Sequence, residues 1–226
     1  MRANTLLFFI AASVVIMNSS CKKDGGNNSS TFVGNGQIAT QVRTPGNFTA
    51  VNLVGSGKVN ITQGPTLQLT VSDDSNLLSL VQTTVKDSVL TAGYEPNINV
   101  TNDHLVFTIV MPTLVGASIT GSGTFNVGGG FTTSGTLTTS ISGSGGITLN
   151  GGSADSLSAN ISGSGTINAT AFPVKGASAG ISGSGEIDVT ASDFLNAVIA
   201  GSGTIYYSGT PAVTQRISGD GKVIQR

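Results

Sequence analysis

A glycine triplet recurs along this chain at intervals that few folds can use. Gly-Ser-Gly begins at Gly55, Gly121, Gly143, Gly163, Gly183 and Gly201, and the variants Gly-Asn-Gly and Gly-Asp-Gly begin at Gly34 and Gly219. From Gly121 onward the Gly-Ser-Gly intervals and the last step are 22, 20, 20, 18 and 18 residues. The flanks repeat with the triplets. Two residues before the first glycine stand Leu53, Ile119, Ile141, Ile161, Ile181, Ile199 and Ile217. Six before it, from the second Gly-Ser-Gly on, stand Val115, Leu137, Leu157, Ala177, Leu195 and Val213. Four after it stand Ile38, Val59, Phe125, Ile147, Ile167, Ile187, Ile205 and Val223. Apolar residues at even spacing within each flank mark half-buried strands, whose side chains alternate between two faces. The residues between them are mostly Ser, Thr, Asn and Ala, which suit the wet face.

Each unit therefore reads as a short strand, a glycine corner, a second short strand and a return segment. Glycine suits the corner because it reaches positive φ without a Cβ penalty. One unit has too little apolar area to fold alone, but units stacked at ~4.8 Å align their Ile and Val into a continuous interior. A propeller blade needs ~40 residues, and the Leu/Asn signature of leucine-rich repeats is missing. The expected fold is all-β, a β-helix (solenoid) with coils of about 20 residues.

The segment from 58 to 112 departs from this period. Leu67, Leu69 and Val71 alternate, as do Leu105, Phe107, Ile109 and Met111, so both ends read as strands. Between them Asp74 is placed to cap a short helix carrying Leu77, Leu78 and Val81. The 66 residues from Gly55 to Gly121 equal about three coils, so this section is expected to be an irregular start to one solenoid, not a second domain.

The N-terminus reads as a targeting segment. Arg2 precedes an apolar run from Leu6 to Met17, too short for the ~20 residues a membrane-spanning helix needs. Asn18-Ser19-Ser20 leads to Cys21, the chain's one cysteine. This arrangement resembles the lipobox of bacterial lipoproteins, although Asn18 stands where such sequences usually carry Leu. The resemblance implies a signal peptide over 1–20, lipidation of Cys21 and a membrane attachment through that lipid. Residues 21–32, polar and glycine-bearing after the cysteine, read as a flexible tether, and 33–226 as the β-helix domain. The Cys-Lys-Lys-Asp start is similar to lipoproteins of the Bacteroidetes group, which implies an outer-membrane location, facing either the surface or the periplasm.

A lipoprotein-like signal, a short-helix section ending in a Met-Pro strand, and repeated units such as Gly163-Ser164-Gly165-Thr166-Ile167-Asn168 together resemble the head GIN domain family of auto-transporter adhesins. The likeness covers roughly residues 35–224. It implies a right-handed parallel β-helix and an adhesin or binding role, and no established biochemical activity.

The chemistry available is sparse. Charged residues are 9% and the net charge is −1, so the electrostatic footprint of a nucleic-acid binder is missing. One histidine, His104, reads as a polar loop residue, and a triad or a His/Cys metal site lacks its members. The triplets are not phosphate loops, because no Lys-Ser/Thr follows. No enzyme activity and no cofactor are expected.

Glu186 and Asp188 flank inward Ile187 and should point outward together ~6.5–7 Å apart, a separation seen in glycosidases. The simple reading is a solvated acidic spot, with a weak Ca²⁺ site as the functional one. Thr124, Thr166 and Thr204, and Asn126, Thr148 and Asn168, should form rows on a wall suited to glycans or another cell surface. Asp87-Ser88-Val89 and Asp155-Ser156-Leu157 resemble the O-glycosylation sites of exported Bacteroidetes proteins, which points to Ser88 and Ser156. Two rival readings remain beside the adhesin: a polysaccharide-active β-helix enzyme, and a periplasm-facing envelope-stress or structural module.

Overall fold

The computed structural model describes residues 30–226. The stretch read as a signal peptide, Cys21 and most of the stretch read as a tether lie outside the described residues. Among the described residues no helix is long and apolar enough to cross a membrane.

The chain runs through β1 (Thr31–Val33), β2 (Ile38–Arg43), β3 (Ala50–Gly55), β4 (Lys58–Gln63), β5 (Gln68–Asp74), a 3-10 turn (Leu78–Leu80), β6 (Val81–Lys86), β7 (Val89–Tyr94), β8 (Asn99–Thr101) and β9 (Val106–Met111). The regular part follows as β10 (Gly116–Gly121), β11 (Thr124–Gly128), β12 (Phe131–Gly143), β13 (Gly146–Leu149), β14 (Gly152–Gly163), β15 (Thr166–Gly183), β16 (Glu186–Gly201), β17 (Thr204–Ser208), β18 (Ala212–Ser218) and β19 (Lys222–Gln225). The result is a β-solenoid of about six turns.

The coils stack as parallel strands in the register the triplets imply. Ile119 pairs with Ile141, Ile141 with Ile161, Ile161 with Ile181 and Ile181 with Ile199. Beyond the corner, Phe125 pairs with Ile147, Ile147 with Ile167, Ile167 with Ile187 and Ile187 with Ile205. All ten of these residues are at most 3% exposed, so the two stacks form the interior. A column of small residues, Ala117, Thr139, Ala159, Ala179 and Ala197, lies beside the first stack and is equally buried. The unequal intervals do not break the stack. The register shifts fall in the return segments, between Thr133 and Thr136 and between Ala169 and Gly176, well away from the triplets.

Both glycines of a corner are required, for different reasons. Gly163 has φ +129° and its α-carbon faces the backbone of Gly143 one coil earlier. A side chain there would be strained and would also strike the neighbouring coil. Gly165 has ordinary φ, but a Cβ on it would lie 2.7 Å from the carbonyl oxygen of Gly145 and 2.8 Å from a methyl of Ile141. The serine between them is exposed and holds the corner in line: the Ser164 N–H donates to the Gly143 carbonyl at 2.9 Å, and Ser184 repeats the bond to Gly163.

The N-terminal section is wound differently. β3 and β4 form a coil below β10 and β11, as expected from the Gly55 triplet. The chain then passes to the far side of that coil, where β7 lies parallel to β3 and β9 parallel to β4. It next crosses back to start β10. Three antiparallel pairings finish the end: β6 on β7, β5 on β9 and β2 on β5. β1 pairs with β8, so this strand begins within the stretch read as tether. The expected irregular start is thus a cap, continuous with the solenoid sheet.

Three expectations are corrected here. The short helix is only the 3-10 turn Leu78–Leu80, with Leu77 at its N-cap and no side-chain cap. Asp74 does not cap it, because its carboxylate accepts from the Gly36 N–H and meets His104. Ile38 is 54% exposed in the antiparallel strand β2, so Gly34-Asn-Gly marks no coil. Val115 is 40% exposed because the chain is only then re-entering the stack, and Leu114 beside it takes the inward place.

Candidate functional site

The face before the glycine corner presents three outward columns of small polar residues. One residue before the corner come Thr120, Ser142, Ser162 and Ser182; three before it, Ser118, Ser140 and Asn160; five before it, Thr138, Ser158, Ser178 and Asn196. Parallel pairing without slippage puts each column in line along the solenoid axis. The first two columns, with Ser178 and Asn196 of the third, line a shallow groove of about 880 Å³. Val89 lines it at the cap end and Val198 and Ala200 at the other, and no charged side chain lines it. Within it Ser118 Oγ donates to Asn52 Oδ1 at 3.0 Å, and Asn160 Nδ2 donates to Ser158 Oγ at 3.2 Å. Gly180 leaves room for the Asn160 amide, since a Cβ there would lie 2.6 Å from its Oδ1. Hydroxyls and amides offer both donors and acceptors, so such a floor can match a neutral polyhydroxylated ligand.

The expected rows lie on the next face, after the corner, and are interrupted. Gly146 stands between Thr124 and Thr166, and Glu186 between Thr166 and Thr204. Asn126, Thr148 and Asn168 do align, and Asn126 Nδ2 donates to Asn60 Oδ1 at 3.3 Å. These residues read as the wet face, but the expected binding rows are placed after the corner, so the groove columns before it were not singled out. The signal was the polar residue at one, three and five places before each corner, out of phase with the isoleucines.

The acidic pair differs from a solvated spot. Asp188 is 6% exposed. Arg226 Nη1 donates to its Oδ1 at 2.7 Å, and the guanidinium lies 3.5 Å from the centroid of the Tyr206 ring. Burial pushes the Asp188 carboxyl up, Arg226 opposes this, and Glu186 reinforces it. Tyr206 belongs to the next coil, and Arg226 reaches past it from the coil after that. The repeat places no Arg or Lys on the coils adjacent to this pair, and Arg226 lies two coils away at the last residue of the sequence given, so the period alone does not reveal this partner. A Ca²⁺ ion at Glu186 and Asp188 would have to compete with Arg226. Among the described residues, no three His, Cys, Asp or Glu side chains gather as a metal cage would need.

His104 is more than a loop residue. Its Nδ1 lies 2.8 Å from Asp74 Oδ2, and its backbone N–H donates to Asp73 Oδ1 at 3.0 Å. Tyr94 Oη donates to the other Asp73 oxygen at 2.5 Å. Both aspartates are fully buried. The hydrogen bond from His104 holds the Asp74 carboxyl below its usual range, and Asp74 raises the imidazole in return. Burial, then Asp73, pushes the Tyr94 hydroxyl well up, so it stays a donor. This network fastens residues 33–36, 73–76 and 102–104 to one another and reads as the lock of the cap.

Ser88 is exposed in the two-residue turn between β6 and β7, where Asp87 and Ser88 both take positive φ. Ser156 is half-buried inside β14. Beside it, Asp155 and Lys175 form an ion pair at 2.7 Å in a second groove of about 560 Å³ on the return segments.

A family model described as "putative auto-transporter adhesin, head GIN domain" matches residues 47–211. The chain belongs to this family. Its matched stretch runs from the first coil of the head GIN domain through the last buried one. Solved structures agree on the fold. A putative adhesin from Bacteroides fragilis aligns with TM-score 0.69 and 23% identity, over 86% of this chain and 100% of that one. A putative adhesin from Parabacteroides merdae aligns with TM-score 0.54 and 24% identity, over 88% and 100%. A protein from Parabacteroides distasonis described as a putative lipid binding protein aligns with TM-score 0.56 and 23% identity, over 87% and 100%. No curated protein matches the sequence.

Proposed function

We propose that this head GIN domain is a non-catalytic adhesion module, anchored to the outer membrane through a lipid on Cys21, that takes neutral glycans in the groove before its glycine corners. The observation that carries the reading is the groove itself: about 880 Å³, floored by aligned Ser, Thr and Asn, without a charged group. Membership of an adhesin-described family supports it. So does the Cys21 context, which resembles that of a lipoprotein. Glycosylation of Ser88, on an exposed turn, and of Ser156 is compatible with export but plays no part in binding.

The test is a glycan panel probed with the full chain. Retention of neutral oligosaccharides that is lost in Ser162→Lys and kept in Lys175→Ala is the expected result. Binding unchanged by Ser162→Lys would place the ligand elsewhere. Turnover of any polysaccharide abolished by Glu186→Gln would instead favour the enzyme reading. Protease shaving of intact cells separates a surface adhesin, which is cut, from a periplasm-facing module, which is protected.

A further inference from the structure

Asparagine followed by glycine is a self-reactive pair, because no Cβ on the second residue hinders attack of its nitrogen on the asparagine side-chain carbonyl. The chain has two such pairs, Asn35-Gly36 and Asn150-Gly151, and both asparagines are exposed between strands. Their surroundings differ. Among the described residues Asn150 is held only through its backbone, whose N–H donates to the Val127 carbonyl at 2.7 Å. At Asn35 every atom the reaction uses has a partner. The Gly36 N–H donates to Oδ1 of Asp74, a fully buried carboxylate. The Gln37 N–H donates to Asn35 Oδ1 at 3.0 Å, and the Asx turn so closed holds the side-chain carbonyl and the Gly36 nitrogen in one ring. Asn35 Nδ2 donates to Ser75 Oγ at 2.9 Å. Gly36 has φ +74° with open space where a Cβ would stand, so conformation, not crowding, calls for glycine.

We propose that Asn35-Gly36 is a self-modifying site, at which the cap converts Asn35 to a succinimide and then to aspartate and isoaspartate. Each neighbour has a part in it. Asp74 takes the proton of the Gly36 amide as that nitrogen bonds to Asn35 Cγ. The Gln37 N–H steadies the negative charge that develops on Oδ1. Ser75 Oγ gives a proton to Nδ2 as the Cγ–Nδ2 bond breaks, and ammonia leaves. Exposed Ser75 recovers its proton from solvent. Asp74 returns its own to solvent through His104, whose Nδ1 lies 2.8 Å from the other carboxylate oxygen and whose side chain is 55% exposed. Water then opens the ring. Attack at Cγ restores the chain with aspartate at 35, and attack at the main-chain carbonyl leaves isoaspartate.

The product acts on the lock of the cap. The Asn35 N–H donates to Asn76 Oδ1 at 3.1 Å, and Asn76 Nδ2 donates to the Val33 carbonyl at 2.8 Å. Isoaspartate routes the backbone through the side chain and adds one carbon between these bonds and the Gly36 contact with Asp74. The two sets of bonds then no longer fit one register. Residues 33–36 join β1 to β2, so conversion loosens β1 from its pairing with β8. The cap thereby carries a slow, one-way release at the strand by which the chain enters it.

The test is ageing of the purified full chain at neutral pH, with peptide mapping that separates asparagine, succinimide, aspartate and isoaspartate at both pairs. Asn150 is the internal reference. In the native protein Asn35 should convert roughly tenfold faster than Asn150 or more. This falls below the ~10²-fold of a well-matched acid–base group, because Asp74 is held below its usual range and is a weak base. In denaturant the two should convert at similar rates. Asp74→Asn should bring Asn35 down to the rate of Asn150. Ser75→Ala, at the surface, should slow Asn35 without moving the melting curve, and it serves where Asp74→Asn disturbs the cap. Asn35 converting more slowly in the native protein than in denaturant would mean that its hydrogen bonds protect it, which overturns the proposal. Conversion at the unmodified rate in Ser75→Ala overturns it too. In hydrogen exchange of aged protein the Gly34 amide, which donates to the Thr101 carbonyl at 3.0 Å, should lose protection while the Ile161 amide keeps it. Equal protection of Gly34 before and after ageing overturns the release while the modification stands.

Discussion

The regular coils and the N-terminal cap bury the same aliphatic side chains by opposite means. In residues 116–208 each coil lies on the one before it in the chain, and identical positions stack: Ile on Ile, glycine on glycine. In residues 30–115, apart from the β6–β7 hairpin, neighbours in space are far apart in sequence. β2 pairs with β5, β5 with β9, and β9 with β4, so the core there is mixed: Phe107, Leu69, Leu90, Met111. The coils repeat one packing solution and tolerate loss at no single place better than another. The cap must terminate the stack, and it does so with antiparallel strands and a buried polar lock. Repetition builds length, and irregularity gives an end.

The largest effect that could break this comparison lies in the middle of the coils. Ile161 is 2% exposed with isoleucines above and below. Ile161→Ala should lower unfolding free energy by roughly 2–5 kcal/mol in denaturant titration. A loss under ~1 kcal/mol would mean that the column is not packed as described. Next comes the corner. Gly165→Ala puts a methyl between Ile141 and the Gly145 carbonyl and should cost roughly 1–3 kcal/mol, the scale of overpacking. Ile217→Ala occupies the same column as Ile161 but is 40% exposed in the last described coil, so it should cost about 1 kcal/mol or less. Equal costs at Ile161 and Ile217 would contradict this difference in burial.

The cap should differ from the coils in its response to pH. Asp74 raises His104 above its ordinary 6.5, so this pair's contribution is complete below about that pH. It is lost as pH rises through the elevated imidazole pKa. On the acid side, Asp74 lies below its ordinary 3.8, so its contribution is present above about that pH and lost as pH falls through the depressed value. The imidazole is 55% exposed, which screens the effect. Hydrogen exchange, corrected for intrinsic rate, should show the amide of Gly36 less protected at pH 8 than at pH 5. The Ile161 amide should not change. His104→Phe should remove the difference. At the small end of the scale, Ser162→Ala on the groove face should stay within about ±0.5 kcal/mol.

What could be seen in the sequence follows the same division. The columns at Ile141, Ile161 and Ile181 were legible because one period fixes both which residues face inward and which coil each meets. The cap was not, because Ile38, Leu69 and Phe107 alternate as strands do but carry no mark of their partners or direction. Asp74 before Leu77 looked like a helix cap, and only the fold brings His104 and Gly36 to that carboxylate. Arg226 was invisible as a partner of Asp188 because its side chain spans more than one coil. The groove was half legible: outward polar positions follow from the alternation, but which outward face is concave depends on how the coils bend at their corners.

In-register stacking carries the rest, since without it neither the buried columns nor the polar groove exists. The most direct measurement is the set of cross-coil nuclear Overhauser contacts of the Ser164 amide, which donates to the Gly143 carbonyl 2.9 Å away. The account predicts contacts from Ser164 to Gly143, from Ser184 to Gly163, and between the Ile161 backbone and those of Ile141 and Ile181. Contacts from Ser164 displaced by even one residue along the neighbouring coil would turn the isoleucines to solvent and contradict the account.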